Sequence, residues 1–185
     1  MSEGKLIVVT GPSGVGKGTL LQKLLECHPD RILFSISATT RSPRTGEEHG
    51  REYFFWNRAE FEQKRDANEF SEWAEYAGNF YGTPRQAIDQ AIALGQIVLL
   101  EIELEGARQV ARSFPRAQRI FIAPPSMEVL ESRLRDRSTD SDEQIIKRLH
   151  HAQLEVAAAD EFDITIINDD LEIAMQQLEN AMFHN

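Results

Sequence analysis

The residues with the clearest chemical purpose form one run, Gly11-Pro12-Ser13-Gly14-Val15-Gly16-Lys17-Gly18-Thr19. Phosphate oxygens need several donors at short range, and a backbone wraps that tightly only where glycine removes the side chain. The run follows an apolar, β-branched stretch and precedes a helical pattern, so the free N–H groups of a helix start add to the cradle. Lys17 supplies a point charge for the outer phosphates. The usual loop of this kind places Ser or Thr directly after the lysine to hold magnesium. Here Gly18 takes that place and the hydroxyl comes one residue later, at Thr19. A plain glycine turn with a surface lysine would not also explain the strand before it and the helix after it. The chain is expected to bind a nucleoside triphosphate.

The elements that must position this loop show in the hydrophobic pattern. Lys5 to Thr10 is short, continuous and β-branched, as suits a strand buried on both faces of a parallel sheet. Lys17 to Cys27 has leucines at 20, 21, 24 and 25, one helix face, and His28-Pro29 ends it. Further buried strands are expected at Ile97 to Leu100, Arg119 to Ala123 and Asp163 to Ile167. Helices are expected at Glu105 to Ser113, Ser126 to Arg135 and Leu171 to Met182. Such alternation implies an α/β fold, an open parallel sheet covered by helices.

Two stretches interrupt the alternation. Residues 35–83 are polar and aromatic and read as a small inserted subdomain, with Asn57 and Glu60 as a capping box for a short helix. Residues 133–151 carry arginines at 133, 135, 137 and 148 around a Ser-Thr-Asp-Ser-Asp turn and read as a lid, with Ser141 capping the helix that starts at Asp142. The core is then 1–34, 84–132 and 152–185, all within one domain spanning 1–185. Thr83, with Pro84 and Gln86, has the form of a helix N-cap. Arg41 and Arg44 sit on a Pro-containing turn and could fork around a monophosphate, with Tyr53 and Tyr81 as phenolic donors. Taken alone, the four fit a solvated basic turn and two core tyrosines better.

Composition narrows the function classes. The 185 residues are 41% hydrophobic and 27% charged, an ordinary globular balance. The formal net charge of −10 argues against a broad nucleic-acid or anionic-membrane surface. The one cysteine, Cys27, cannot form an internal disulfide, which points to the reducing cytoplasm; near a helix end it reads as packing. No apolar stretch is long enough to span a bilayer, and Met1 to Val9 lacks the long apolar region of a signal peptide. The five histidines have no metal-ligand spacing, and no Asn-Lys-x-Asp guanine signature of a switch GTPase occurs.

Ser37-Ala38-Thr39-Thr40-Arg41-Ser42-Pro43-Arg44-Thr45-Gly46-Glu47 resembles the acceptor-binding segment of guanylate kinases. Gly50-Arg51-Glu52-Tyr53, Glu72-Trp73 and Asn79-Phe80-Tyr81-Gly82-Thr83 match that family in order and spacing. So do Arg133 to Arg137, Lys147-Arg148-Leu149 and Asn168-Asp169-Asp170, so the resemblance runs from about Lys5 to the last helix. It implies a P-loop NTPase fold and reversible transfer of phosphate from ATP to GMP or dGMP in purine nucleotide metabolism. Under it Arg41, Arg44, Tyr53 and Tyr81 bind the GMP phosphate, and Ser37, Glu72 and Thr83 bind guanine. Glu101 and Glu103 lie beside the acceptor nucleoside and the waters of the metal, although many relatives carry Asp at the second place. Lys17, Arg44, Arg137 and Arg148 surround the transferring group, and Asn168 and Asp169 lie near the donor adenine. Ser138 stands where glycine is frequent.

Guanine offers N1–H and an N2 amine, both donors, where adenine offers none, so a carboxylate such as Glu72 suits guanine. Mg2+ is expected to arrive with ATP, Thr19 being the available hydroxyl. No nucleic-acid or membrane partner is expected, and the chain would act as a monomer or small homo-oligomer. An adenylate-type kinase shares the Lys17-Gly18-Thr19 form of the loop but does not explain Glu72 or the Arg41, Arg44, Tyr53 and Tyr81 set. A partner-binding module of the same family typically lacks the intact phosphate loop.

Overall fold

The computed structural model describes residues 4–76, 78–136 and 141–184. In chain order the elements are β1 (Lys5–Thr10), α1 (Lys17–Cys27), β2 (Ile32–Phe34), β3 (Ala38–Thr39), β4 (Phe54–Phe55), α2 (Arg58–Asp66), β5 (Phe70–Tyr76), β6 (Asn79–Pro84) and α3 (Arg85–Ala93). Then follow β7 (Ile97–Glu101), α4 (Leu104–Ser113), β8 (Gln118–Ala123), α5 (Met127–Asp136), α6 (Asp142–Ala157), a 3-10 turn (Ala159–Glu161), β9 (Ile164–Ile167) and α7 (Leu171–Phe183). The larger sheet has the order β2-β7-β1-β8-β9, and the pairs β2–β7, β1–β8 and β8–β9 are parallel. This is the helix-covered parallel sheet expected from the alternating pattern. The smaller sheet has the order β4-β3-β6-β5 and is antiparallel at β3–β6 and β5–β6.

The chain divides into two compact units. The first comprises Met1–Leu6, Asp30–Leu100 and Glu105–Ala117; the second comprises Ile7–Pro29, Glu101–Leu104 and Gln118–Asn185. In the first, Ala38, Phe61, Phe70 and Phe80 form a core against which Phe54 and Trp56 pack. The Phe61 and Phe70 rings stack at 4.4 Å, which accounts for the aromatic richness of the segment. In the second, Ile7, Val8 and Val9 of β1 are buried with Leu20, Leu21 and Leu24 of α1 and Ile120, Phe121 and Ile122 of β8. Each such buried aliphatic side chain contributes about 1.5–3 kcal/mol.

Local signals hold at two of the three helix starts where they were read. The Asn57 side chain accepts from the Glu60 N–H at 2.9 Å, and Ser141 with Gln144 makes a full capping box on α6. Two expectations fail. Thr83 does not cap α3: it lies inside β6, fully buried, and Pro84 is the N-cap residue without a side-chain bond. The strand runs one residue further than the Pro signal suggests, so the hydroxyl faces the sheet instead. Cys27 does not pack; it is exposed in the last turn of α1, where the helix ends.

Candidate active site

The phosphate loop lies wholly in the second unit, between β1 and α1. Gly16, the N-cap of α1, has φ 100° and ψ 16°, and a Cβ there would lie 2.6 Å from Asn168 Nδ2. Gly11 is fixed by close approach, since a Cβ would fall 2.2 Å from the Ile122 carbonyl oxygen. A Cβ on Gly18, by contrast, would meet nothing within 4 Å, so packing does not impose glycine where a hydroxyl residue is usual. Lys17 folds back over the loop, its Nζ donating to the Gly11 carbonyl at 2.5 Å and the Pro12 carbonyl at 3.1 Å.

Distant segments brace this loop. The Val15 carbonyl accepts from Asn168 Nδ2 at 2.8 Å and from the Arg133 guanidinium at 3.3 Å, and Arg133 also donates to the Asn168 carbonyl at 2.9 Å. Asn168 is thus a buried strut of the cradle, while Asp169 is exposed beside it. Asp170 caps α7 by accepting from the Glu172 and Ile173 N–H groups. Arg148 of α6 donates to Ser13 Oγ at 3.1 Å, which brings it to the loop from 135 positions away in sequence. Arg137 and Ser138 lie outside the described residues. Glu101 and Glu103 are exposed on either side of Ile102. The Ile102 N–H donates to the Val9 carbonyl and its carbonyl accepts from Thr10 Oγ1, so both carboxylates sit at the strand end from which the loop springs.

Among the described residues no group of three or more His, Cys, Asp or Glu side chains could hold a metal ion. Thr19 is exposed in the first turn of α1, one hydroxyl oxygen at the rim. A single oxygen ligand suits Mg2+, which keeps its waters and binds mainly through substrate phosphates.

The expected acceptor residues gather in the first unit. Glu72 of β5 is 7% exposed and stands opposite Thr83 of β6, whose hydroxyl donates to Glu72 Oε1 at 2.5 Å. Ser37 Oγ lies 3.4 Å from Thr83 Oγ1, so the three base-reading candidates form one continuous polar set. The Arg41 guanidinium lies 5.6 Å from the Tyr53 ring centre, and the Tyr53 and Tyr81 rings meet edge to face at 6.1 Å. Arg44 shares the Arg41 turn and has an exposed side chain.

Sequence reasoning gave no role to Glu47 and Arg133, which brace these two clusters. Arg133 reaches Val15 across 118 positions, which no local pattern encodes, whereas the partners of Glu47 lie six and three residues before it on the same turn. Glu47 binds the Arg41 guanidinium at 2.9 Å and accepts from the Arg44 N–H at 2.7 Å. Partial burial lowers the proton affinity of Arg41, but Glu47 and then Tyr81 outweigh it and its pKa stands above the usual value. The Arg44 N–H and then Arg41 hold the Glu47 carboxyl below its usual range, against burial acting the other way. A lowered folded pKa means that Glu47 stabilises fully above the unfolded carboxylate value, about 4.3, and less as pH falls through the folded one. Glu47→Gln should therefore melt below wild type at neutral pH, with the gap closing on acidification. Melting curves across pH check this, and a gap unchanged down to about pH 3 would contradict it.

The family model described as guanylate kinase matches residues 3–185. Guanylate kinase of Trichormus variabilis is 57% identical over 182 residues, covering 98% of this chain and 91% of that protein. Guanylate kinase of Prochlorococcus marinus is 58% identical, with 98% and 95% covered. The crystal structure of guanylate kinase from Anaplasma phagocytophilum superposes with a TM-score of 0.73 at 34% identity, over 97% of this chain and 85% of that one. A phosphate loop braced by Asn168 and Arg133, a buried Glu72 held by Thr83 and a match over nearly the full length agree: this chain belongs to the guanylate kinase family.

Proposed function

We propose that the chain catalyses reversible transfer of the γ-phosphoryl group of ATP to GMP, and to dGMP, giving ADP and the nucleoside diphosphate. The observation that carries this is the buried Glu72 carboxylate held by Thr83, an acceptor pair with the polarity guanine requires. ATP sits with its phosphates in the loop Gly11 to Thr19, against Lys17 and Arg148, and Asp169 faces its base. GMP places its phosphate against Arg41, Arg44, Tyr53 and Tyr81 and its base against Ser37, Glu72 and Thr83. Glu101 and Glu103 lie beside the acceptor nucleoside.

The chemistry needs little from the protein beyond alignment. The GMP phosphate is largely ionised at neutral pH, its second pKa being about 6, so no general base is required. One of its oxygens attacks the γ-phosphorus, the bond to the β-phosphate oxygen breaks in line, and ADP leaves with that electron pair. Lys17, Arg44, Arg137 and Arg148 neutralise charge that spreads over the transferring group. Thr19 would offer its hydroxyl to a Mg2+ ion arriving with ATP, which would add charge neutralisation to the phosphates.

In this reading residues 35–83 form the GMP-binding subdomain, 133–151 the lid, and the remainder the core of one domain that works in the cytoplasm as a monomer or small homo-oligomer. Initial rates with ATP and each nucleoside monophosphate test it: GMP and dGMP are turned over, and AMP is not.

A further inference from the structure

β5 is the last strand of the smaller sheet, so among the described residues its outer edge has no strand beside it. Alternate residues of such a strand turn their N–H and C=O toward that edge. Here α4 supplies the partners. Gln109 Oε1 accepts from the Trp73 N–H at 3.0 Å, and Gln109 Nε2 donates to the Trp73 carbonyl at 2.8 Å. One amide side chain thus satisfies both backbone groups of a residue, as a neighbouring strand would. One helical turn later, Ser113 Oγ donates to the Ser71 carbonyl at 2.8 Å. The i, i+4 spacing on the helix matches the two-residue spacing on the strand.

The residue between these two anchors is Glu72. The pairing with β6 also shifts there, from Phe70 opposite Pro84 to Glu72 opposite Thr83, which leaves Ser71 as the extra residue of a bulge. A bulge re-aims the side chains that follow it, and a slip of one residue would turn Glu72 to the other face. Ser71 is tied on both sides, its carbonyl by Ser113 and its hydroxyl to the Thr83 carbonyl at 2.9 Å.

We infer that Gln109 and Ser113 are positioning residues for base recognition: by anchoring the backbone on both sides of Glu72 they keep the bulge in register and the carboxylate opposite Thr83. The inference rests on the assignment of Glu72 to the guanine edge.

Steady-state kinetics with GMP and with IMP, whose base lacks the N2 amine, test it. Gln109→Met keeps the length of the side chain and removes both hydrogen bonds, and Ser113→Ala removes one. Each should raise KM for GMP by about five- to tenfold, the scale of one lost orienting hydrogen bond, and reduce the preference for GMP over IMP similarly. KM for ATP should not change, and Ser113→Thr, which retains the hydroxyl, should restore wild-type values. Variants that melt earlier yet keep wild-type KM for GMP and an unaltered GMP-to-IMP ratio would overturn the positioning role. If one of these two variants fails to fold, the other decides. Glu72→Gln separates the two levels: a wild-type KM for GMP there overturns the base assignment itself. A raised one with Gln109→Met and Ser113→Ala unaffected overturns only the positioning.

Discussion

Lys17→Ala should remove nearly all phosphoryl transfer while leaving the fold in place. Lys17 Nζ rests on the Gly11 and Pro12 carbonyls at the mouth of the phosphate loop, where it is the loop's own positive charge. In the reaction that charge meets the oxygens on which negative charge accumulates, so its loss falls on the transition state more than on ground-state binding. Losing one preorganised group of this kind costs about 10²–10³-fold in kcat, and a full unit charge belongs at the upper end. Lys17 is half buried and stands at the start of α1, outside the buried leucines that pack the helix. The melting temperature should therefore stay within about 4 °C of wild type, the shift produced by roughly 1 kcal/mol in a chain of this size. A folded variant within a few-fold of wild-type activity would show that the donor phosphates bind elsewhere.

Glu72→Gln should have the second largest effect, confined to the acceptor. Thr83 donates to Glu72 Oε1, so the carboxylate stands as an acceptor, the polarity that guanine's donors require. In the variant the amide oxygen takes the Thr83 hydroxyl and the NH2 group turns a donor toward two guanine donors. Should the hydroxyl reverse its role, one neutral acceptor remains where there was a charged pair. The cost is about 2–4 kcal/mol in kcat/KM for GMP, or roughly 30- to 1000-fold. Binding of ATP, measured by calorimetry, should be unaltered. Equal kcat/KM for GMP in variant and wild type would move base reading away from β5.

What the amino-acid pattern reveals and what it hides divide along sequence separation. The strand at Lys5–Thr10, the turn at Gly11 to Gly16 and the helix at Lys17–Cys27 are legible because each is encoded by residues within one or two turns of each other. The proposed base-reading trio needed the resemblance: Ser37, Glu72 and Thr83 are 46 positions apart at the extremes, and only pairing across β3, β6 and β5 joins them. Thr83 shows how a local signal misleads. Pro84 and Gln86 gave it the look of a helix cap, but strand pairing with β5 outweighed that preference and placed its hydroxyl on Glu72. Asn168 was legible as a site residue, but its tie to Val15 was not, because the contact spans 153 positions. Gln109 and Ser113 look like ordinary polar positions of an amphipathic helix until the edge of β5 is laid against them.

The central claim is that the acceptor is GMP, and the selectivity of the purified chain tests it most directly. With Mg2+, ATP and either GMP or AMP, separation of the products should show GDP and ADP forming in equal amounts from GMP. kcat/KM for GMP should exceed that for AMP by about 10⁴-fold, the discrimination that a buried hydrogen-bonding site gives against a ligand of the wrong polarity. Comparable rates with GMP and AMP, or turnover of AMP alone, would contradict the account.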